Sequence, residues 1–298
     1  MIFKFGAAPE DVLQGSGHTL FVEGKNNQAF DPIVMKELLN NNDLGRITVQ
    51  SIGHCDNVRS AAQALIYHHP SYYFLIDRDD NDDSTVEKSW NSFPDLSQHN
   101  LLIWNKRELE NYFIEPTYLS NSPFLKTNVE DLKKRILVEC NQRIFIDAVN
   151  FTILHLNKKI TKKLRYSFSD FNQFKCKEDG EQALEQLTEI EFKKNEIDEI
   201  LTVDFVKQIY FEMVQKLSGG TLPLQYDCGT WLEQLSGKEI MNNIMNQCFQ
   251  VQDRQGKYLQ GEERTKQVVK KLLKLPLNQQ PDDFQNLVTL LKERVATA

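Results

Sequence analysis

Four short runs of β-branched, aromatic and aliphatic residues recur through the first 115 residues, and what separates them constrains the fold more than any other feature. The runs are Thr19–Glu23, Ile47–Ser51, Tyr72–Asp77 and Leu101–Trp104. Each of the first two gaps is long enough for a crossover helix. The first gap carries Ala29-Phe30, Ile33-Val34 and Leu38-Leu39 on one helical face. The second carries Val58, Ala61-Ala62, Leu65 and Ile66, with Asp56 or Asn57 as the expected N-cap. Strands alternating with helices imply βαβ units around a parallel sheet, so the expected class is α/β.

From Asn128 onward the pattern changes. Val129–His155, Gly180–Leu217, Trp231–Phe249, Glu262–Leu275 and Asp282–Val295 read as amphipathic helices, with breaks at Ser218-Gly219-Gly220, Leu222-Pro223 and Leu275-Pro276. The expected division is a catalytic α/β domain over 1–120 and a mainly α-helical domain over 121–298, packed on or inserted beside it. With 298 residues, 40% of them hydrophobic, the chain can fill a substantial core. Its five cysteines are scattered and never form Cys-x-x-Cys, which argues against a disulfide framework or a zinc ribbon. No apolar run is long enough for a signal peptide or a membrane span, so a cytoplasmic protein without membrane association is expected.

Carboxylates at the ends of neighbouring parallel strands converge on one edge of a sheet, where open α/β folds bind ligands. Glu23 and Asp77 stand at two such ends, and Asp79 follows two residues later. Oxygen ligands of this kind suit Mg²⁺, which stabilises charge on phosphate oxygens and acidifies a bound water. The segment Asp77–Asp83 holds five aspartates and would by itself read as a solvated acidic loop. It is no EF-hand, because Asp82 stands where that loop needs glycine and Lys88 where it needs glutamate.

Leu20-Phe21-Val22-Glu23-Gly24 and Phe74-Leu75-Ile76-Asp77-Arg78-Asp79 resemble, in order and spacing, the two signature motifs of TOPRIM domains. Lys106-Arg107-Glu108-Leu109-Glu110-Asn111-Tyr112-Phe113 and Ser236-Gly237-Lys238 resemble the subgroup found in overcoming-lysogenization-defect (OLD) nucleases and related anti-phage effectors, including those of PARIS defence systems. Gly53-His54-Cys55-Asp56-Asn57-Val58 fits the stretch before that subgroup's second helix. The resemblance covers residues 18–118 and, beyond them, only Gly237-Lys238. It implies a TOPRIM sheet in which Glu23 is a metal ligand or general acid/base, Asp77 and Asp79 hold Mg²⁺ (or Mn²⁺), and Glu110 rather than Glu108 completes the set. Lys238 would stabilise the transition-state phosphate. Such nucleases often carry an acid four residues after the motif glutamate. Here that position is Asn27, so one tightly held Mg²⁺ is expected, with a second recruited by substrate; Asp31, one helical turn further on, is the candidate to replace the missing acid, against the commoner reading of an exposed helix residue.

The net charge of −7 opposes phosphate binding by a broadly basic surface, but the acid is uneven. Residues 1–120 hold 9 Lys+Arg against 17 Asp+Glu, leaving 26 against 25 for the remainder. Lys158, Lys159, Lys162, Lys163 and Arg165, followed by Tyr166, Phe168, Phe171 and Phe174, form the best candidate nucleic-acid contact, against the plainer alternative of a solvated helix face. Lys266, Lys270, Lys271 and Lys274 read as a polar helix face, and His54, Cys55, His68 and His69 as structural residues. There is no Walker A motif. OLD-type TOPRIM domains work beside an ABC-type ATPase, so a partner ATPase in trans is implied, and a homodimer is compatible with the reading. The expected function is a Mg²⁺-dependent endonuclease acting on DNA or RNA, tRNA included, as a toxic anti-phage effector. The alternative is a regulatory subunit binding nucleic acid or the ATPase, with a vestigial metal site.

Overall fold

A computed structural model of the chain describes residues 17–67, 69–95, 99–159, 168–187 and 201–296. Four strands, β1 (Thr19–Val22), β2 (Thr48–Ser51), β3 (Tyr72–Ile76) and β4 (Leu101–Ile103), form one sheet in the order β2-β1-β3-β4. All three pairings are parallel, with Thr19 opposite Thr48 and Tyr72, and Phe74 opposite Leu101. Every residue of β1 and β3 is buried, as expected for central strands covered on both faces.

The period of two divides these strands between two cores. Leu20, Val22, Tyr73, Leu75 and Leu102 face one side, packed with α1 (Phe30–Asn40) and the helical half of the chain. Phe21, Tyr72, Phe74, Ile76 and Ile103 face the other, against α2 (Cys55–Leu65) and α3 (Asp83–Ser92). The first core runs without a break from Leu20 to Val295, so the helical region shares the sheet's core across the expected boundary at residue 120.

The helical region comprises α4 (Pro116–Leu119), α5 (Val129–Lys159), α6 (Lys177–Glu185), α7 (Val203–Ser218), α8 (Trp231–Gln234), α9 (Gly237–Cys248), α10 (Gly261–Leu272) and α11 (Asp282–Ala296). Glu115 opens α4 by accepting the Thr117 and Tyr118 N–H groups, and Gly219, in the left-handed conformation at φ 61°, closes α7. No helix among the described residues is long and apolar enough to cross a membrane.

The structure departs from the sequence reading at several elements. Helix α3 forms after the acidic loop, in the third gap, where no helix was assigned; Asp82 caps it by accepting the Thr85 N–H at 2.7 Å. Helix α2 begins after His54, not after Asp56 or Asn57; the Asn57 amide instead donates to the Ile52 carbonyl at 3.1 Å. The segments over 180–217 and 231–249, read as mostly helical, contain breaks. In the second, Leu235 is extended with ψ at 161°, separating α8 from α9.

Candidate functional site

In the order β2-β1-β3-β4 the chain crosses outward from β1 to β2 and then returns past β1 to β3, so the carboxyl ends of β1 and β3 flank the switch point of the sheet. Glu23 follows β1 and Asp77 follows β3. They touch directly: the Asp77 N–H donates to Glu23 Oε1 at 2.9 Å. The turn after β1 is pinned by two hydrogen bonds between Gly24 and Gly53, at 2.9 and 3.1 Å. Gly24 has φ at 135°, and a Cβ there would lie 2.9 Å from the Ala29 Cβ, so glycine is required.

Asp77 in turn gathers the next motif, its Oδ1 accepting the Leu109 N–H at 2.9 Å. Residues Leu109–Tyr112 form one 3-10 turn that carries Glu110 and Asn111. Asp79 has a left-handed backbone, φ 46°, and its N–H donates to the Arg107 carbonyl at 3.1 Å. That conformation leaves Asp79 exposed at the rim, and it does not line the cavity below.

The turn also receives the start of α9. Glu108 accepts the Lys238 N–H at 2.8 Å and the Ser236 hydroxyl at 3.3 Å, so it caps the incoming helix. The Asn111 amide donates to the Leu232 and Leu235 carbonyls, each at 3.0 Å. Gly237 sits so close to this turn that a Cβ would lie 2.5 Å from Asn111 Oδ1 and 2.7 Å from the Asn111 backbone nitrogen. The approach brings Lys238 Nζ to 3.8 Å from Glu110 Oε1.

Together these elements enclose a cavity of about 500 Å³ lined by Glu23, Asp31, His54, Asp77, Glu110 and Lys238, with Met241, Asn242, Glu262 and Thr265 of α9 and α10 on the far wall. Asp31, weighed in the sequence as a stand-in for the acid missing at Asn27 and then read as an exposed helix residue, does line the cavity. It lies in the first turn of α1, directly after the strand and turn that carry Glu23. Burial, then the charges of Glu110 and Glu23, push the Asp31 carboxyl well above the ordinary range. Burial and the charges of Asp31, Glu110, Glu23 and Asp79 do the same to Asp77. Glu23 is raised to about 7, chiefly by burial, against the lowering effect of the Asp77 N–H. Glu110 is also raised to about 7 by burial, with Lys238 opposing. The Lys238 ammonium is raised, first by Glu110.

Glu23, Asp31, Asp77 and Glu110, with Glu239 and Glu262 also in the lining against Lys25 and Lys238, make a set of oxygen donors in which carboxyl groups outnumber cations, which is the chemistry of a hard divalent cation. Glu110 Oε2 is buried with no hydrogen-bond partner, a second sign that Lys238 alone does not satisfy the carboxylates of the cavity. Among the described residues, no group of three or more His, Cys, Asp or Glu side chains is arranged to hold a metal ion. Mg²⁺ does not require such a cage, since it commonly binds through one or two carboxylates, waters and substrate phosphates. The donor chemistry therefore fits Mg²⁺, while the side chains do not form a finished coordination shell.

Compared with protein-family models, curated proteins and solved structures, the chain gives no significant match.

Other candidates fall elsewhere. The Asn27 side chain accepts the Ser51 N–H at 2.8 Å, tying the β1–α1 connection to the end of β2, and does not line the cavity. Lys158 pairs with Asp80 at 3.4 Å, and Lys159 lies 5.4 Å from the Phe205 ring centre. Lys162, Lys163, Arg165 and Tyr166 lie outside the described residues, as does His68. Phe168 and Phe174 pack edge to face at 4.9 Å, and Phe174 is buried. His69 stacks on Tyr72 at 4.6 Å. Lys266 of α10 donates to the Gln28 carbonyl at 3.1 Å, and Lys274, just after α10, lies 3.9 Å from Glu37 of α1.

Proposed function

We propose that this chain is a TOPRIM-type, Mg²⁺-dependent nuclease that hydrolyses phosphodiester bonds of DNA or RNA. The observation that carries the reading is the convergence of Glu23, Asp31, Asp77 and Glu110 with Lys238 in one cavity at the switch point of a parallel sheet. Asp77 and Glu110 are the residues to hold Mg²⁺ or Mn²⁺, with Asp31 and Asp79 as further oxygen donors at the cavity and its rim. When bound, the ion supplies charge stabilisation for phosphate oxygens and a more acidic water.

The chain's own residues supply the rest. Glu23, with its carboxyl near 7 and its orientation fixed by the Asp77 N–H, is suited to accept a proton at neutral pH. Lys238 presents a permanent positive charge over the cavity, where it can meet a non-bridging phosphate oxygen. A role as an anti-phage effector controlled by an ABC-type ATPase in trans rests on the resemblance of Lys106–Phe113, Ser236–Lys238 and Gly53–Val58, and on the lack of a Walker A motif in the chain. Under the rival reading the chain is a binding subunit with a vestigial metal site. Two observations favour that rival: Asn27 stands where an acid is common, and among the described residues no three-ligand group is ready-formed.

The test is incubation of the purified chain, and of Glu23→Ala and Asp77→Asn variants, with total RNA and plasmid DNA, with and without Mg²⁺. Cleavage should require the metal and fall by roughly 10²–10³-fold in each variant, the range for losing one group that stabilises developing charge. Full metal-dependent cleavage by Glu23→Ala overturns the assignment, and silence of the wild type with partner and trigger present establishes the rival.

A further inference from the structure

We propose that Asp147, on the long helix α5, is a positioning residue that holds the two non-sheet segments of the site in register; this rests on the nuclease reading. Asp147 is 1% exposed and lies among Ile144, Ile146, Ala148 and Val149, all fully buried. Packing alone does not call for a carboxylate there, because an apolar side chain fills such a position without the cost of desolvating a charge. What the carboxylate adds is three donors from three parts of the chain. Arg143 approaches from its own helix, Nε to Oδ2 at 3.3 Å. Arg107 Nη1 lies 3.3 Å from Oδ1. The Ser236 backbone N–H donates to Oδ2 at 3.1 Å.

Two of these donors belong to the segments that deliver the cavity's side chains. Arg107 precedes Glu110 by three residues, and its carbonyl accepts the Asp79 N–H at 3.1 Å. The Arg107 N–H donates to the Glu233 carbonyl at 2.9 Å, its Nη1 also donates to the Gln234 carbonyl at 3.2 Å, and its guanidinium lies 4.8 Å from the Phe151 ring centre. Ser236 precedes Lys238 by two residues. One buried carboxylate therefore governs Asp79 and Glu110 through Arg107, and Lys238 through Ser236, without lining the cavity itself. The helical half thereby aligns the site as well as covering it. Arg143 is the internal control, since its hydrogen bonds, at 3.3 and 3.5 Å, both go to the Asp147 carboxylate and not to either segment.

The experiment compares Asp147→Asn, Asp147→Glu, Ser236→Pro and Arg143→Met in the full chain. Ser236→Pro removes the N–H that Asp147 accepts, together with the hydroxyl bonded to Glu108, and Ser236→Ala removes the hydroxyl alone. Ser236 has φ at −62° and Leu235 is extended, so proline fits the backbone and keeps the test open if Asp147→Asn fails to fold. Asp147→Asn, and Ser236→Pro relative to Ser236→Ala, should lower kcat by about 10–100-fold with KM changed far less, the signature of misplaced rather than missing groups. Asp147→Glu should recover part of the loss, Arg143→Met should cleave at the wild-type rate below its melting temperature, and amide exchange at 237–238 should quicken in Asp147→Asn and in Ser236→Pro. Wild-type kcat in Ser236→Pro, or an equal loss in Arg143→Met, overturns the proposal. If the wild-type chain cleaves nothing, the nuclease reading fails, and the exchange measurement then decides the positioning claim, unchanged exchange refuting it.

Discussion

Replacing Glu110 by glutamine should make the metal-free protein more stable while removing its response to metal. Glu110 is 5% exposed, and its carboxyl is held near 7 against an ordinary value of 4.5, chiefly by burial. At about 1.4 kcal/mol per unit, the ionised side chain costs the folded state about 3 kcal/mol. The favourable field of Lys238 is already contained in that value, since the lysine opposes the shift. Glutamine has the shape of the neutral acid, so the variant resembles a wild type that never ionises at this position.

The sign follows from linkage. The folded chain binds this proton more tightly than the unfolded chain, so stability is fully present below pH 4.5 and is lost as pH rises through 7. In EDTA, urea or thermal unfolding of the two proteins should coincide near pH 4.5. At pH 8 they should diverge by about 3 kcal/mol, or roughly 5 °C or more in melting temperature for a chain of this size. Added Mg²⁺ should reverse the order by stabilising the wild type alone. A metal-free variant less stable than wild type at pH 8, or a gap that does not change with pH, would show that the Lys238 pairing outweighs burial and would refute the reasoning.

Because Glu23 and Glu110 both sit near 7, Mg²⁺ affinity should rise from pH 6 to 8 with proton release, approaching tenfold per unit for each proton lost below 7; calorimetry in two buffers of different ionisation heat measures it, and pH-independent binding refutes it. Asp31→Asn should weaken Mg²⁺ binding by about tenfold or more. Asn27→Ala should cost only about 1 kcal/mol of stability, for the lost Ser51 bond, and leave metal affinity unchanged; the reverse ranking would restore Asn27 to the site. Gly237→Ala should destabilise the chain by about 1–2 kcal/mol, because overpacking against Asn111 outweighs the helical gain over glycine. An unchanged urea midpoint would show that the turn yields freely.

What the sequence makes legible here is what short-range periodicity controls. The alternation in β1 and β3 assigns Leu20, Val22, Tyr73 and Leu75 to one face and Phe21, Phe74 and Ile76 to the other, and those phases deliver Glu23 and Asp77 to adjacent strand ends. Helix α3 was hidden because five aspartates before and at its start mask a weak apolar face, in which Val86 is the one fully buried aliphatic residue. The burial of Asp31 was hidden for a different reason. The first turn of a helix is solvated unless something covers it, and its cover comes from α9 and α10, more than 200 residues later in the chain. The same holds for Lys238, whose backbone is fixed by Glu108 across 130 positions, and for Asp147, which reaches Ser236 across 89. Local pattern can nominate carboxylates at a sheet edge, but the charge environment that sets their chemistry is built by contacts with no local signature. The raised carboxyls of Glu23 and Glu110 are therefore properties of the closed helical half as much as of the strand ends from which they project.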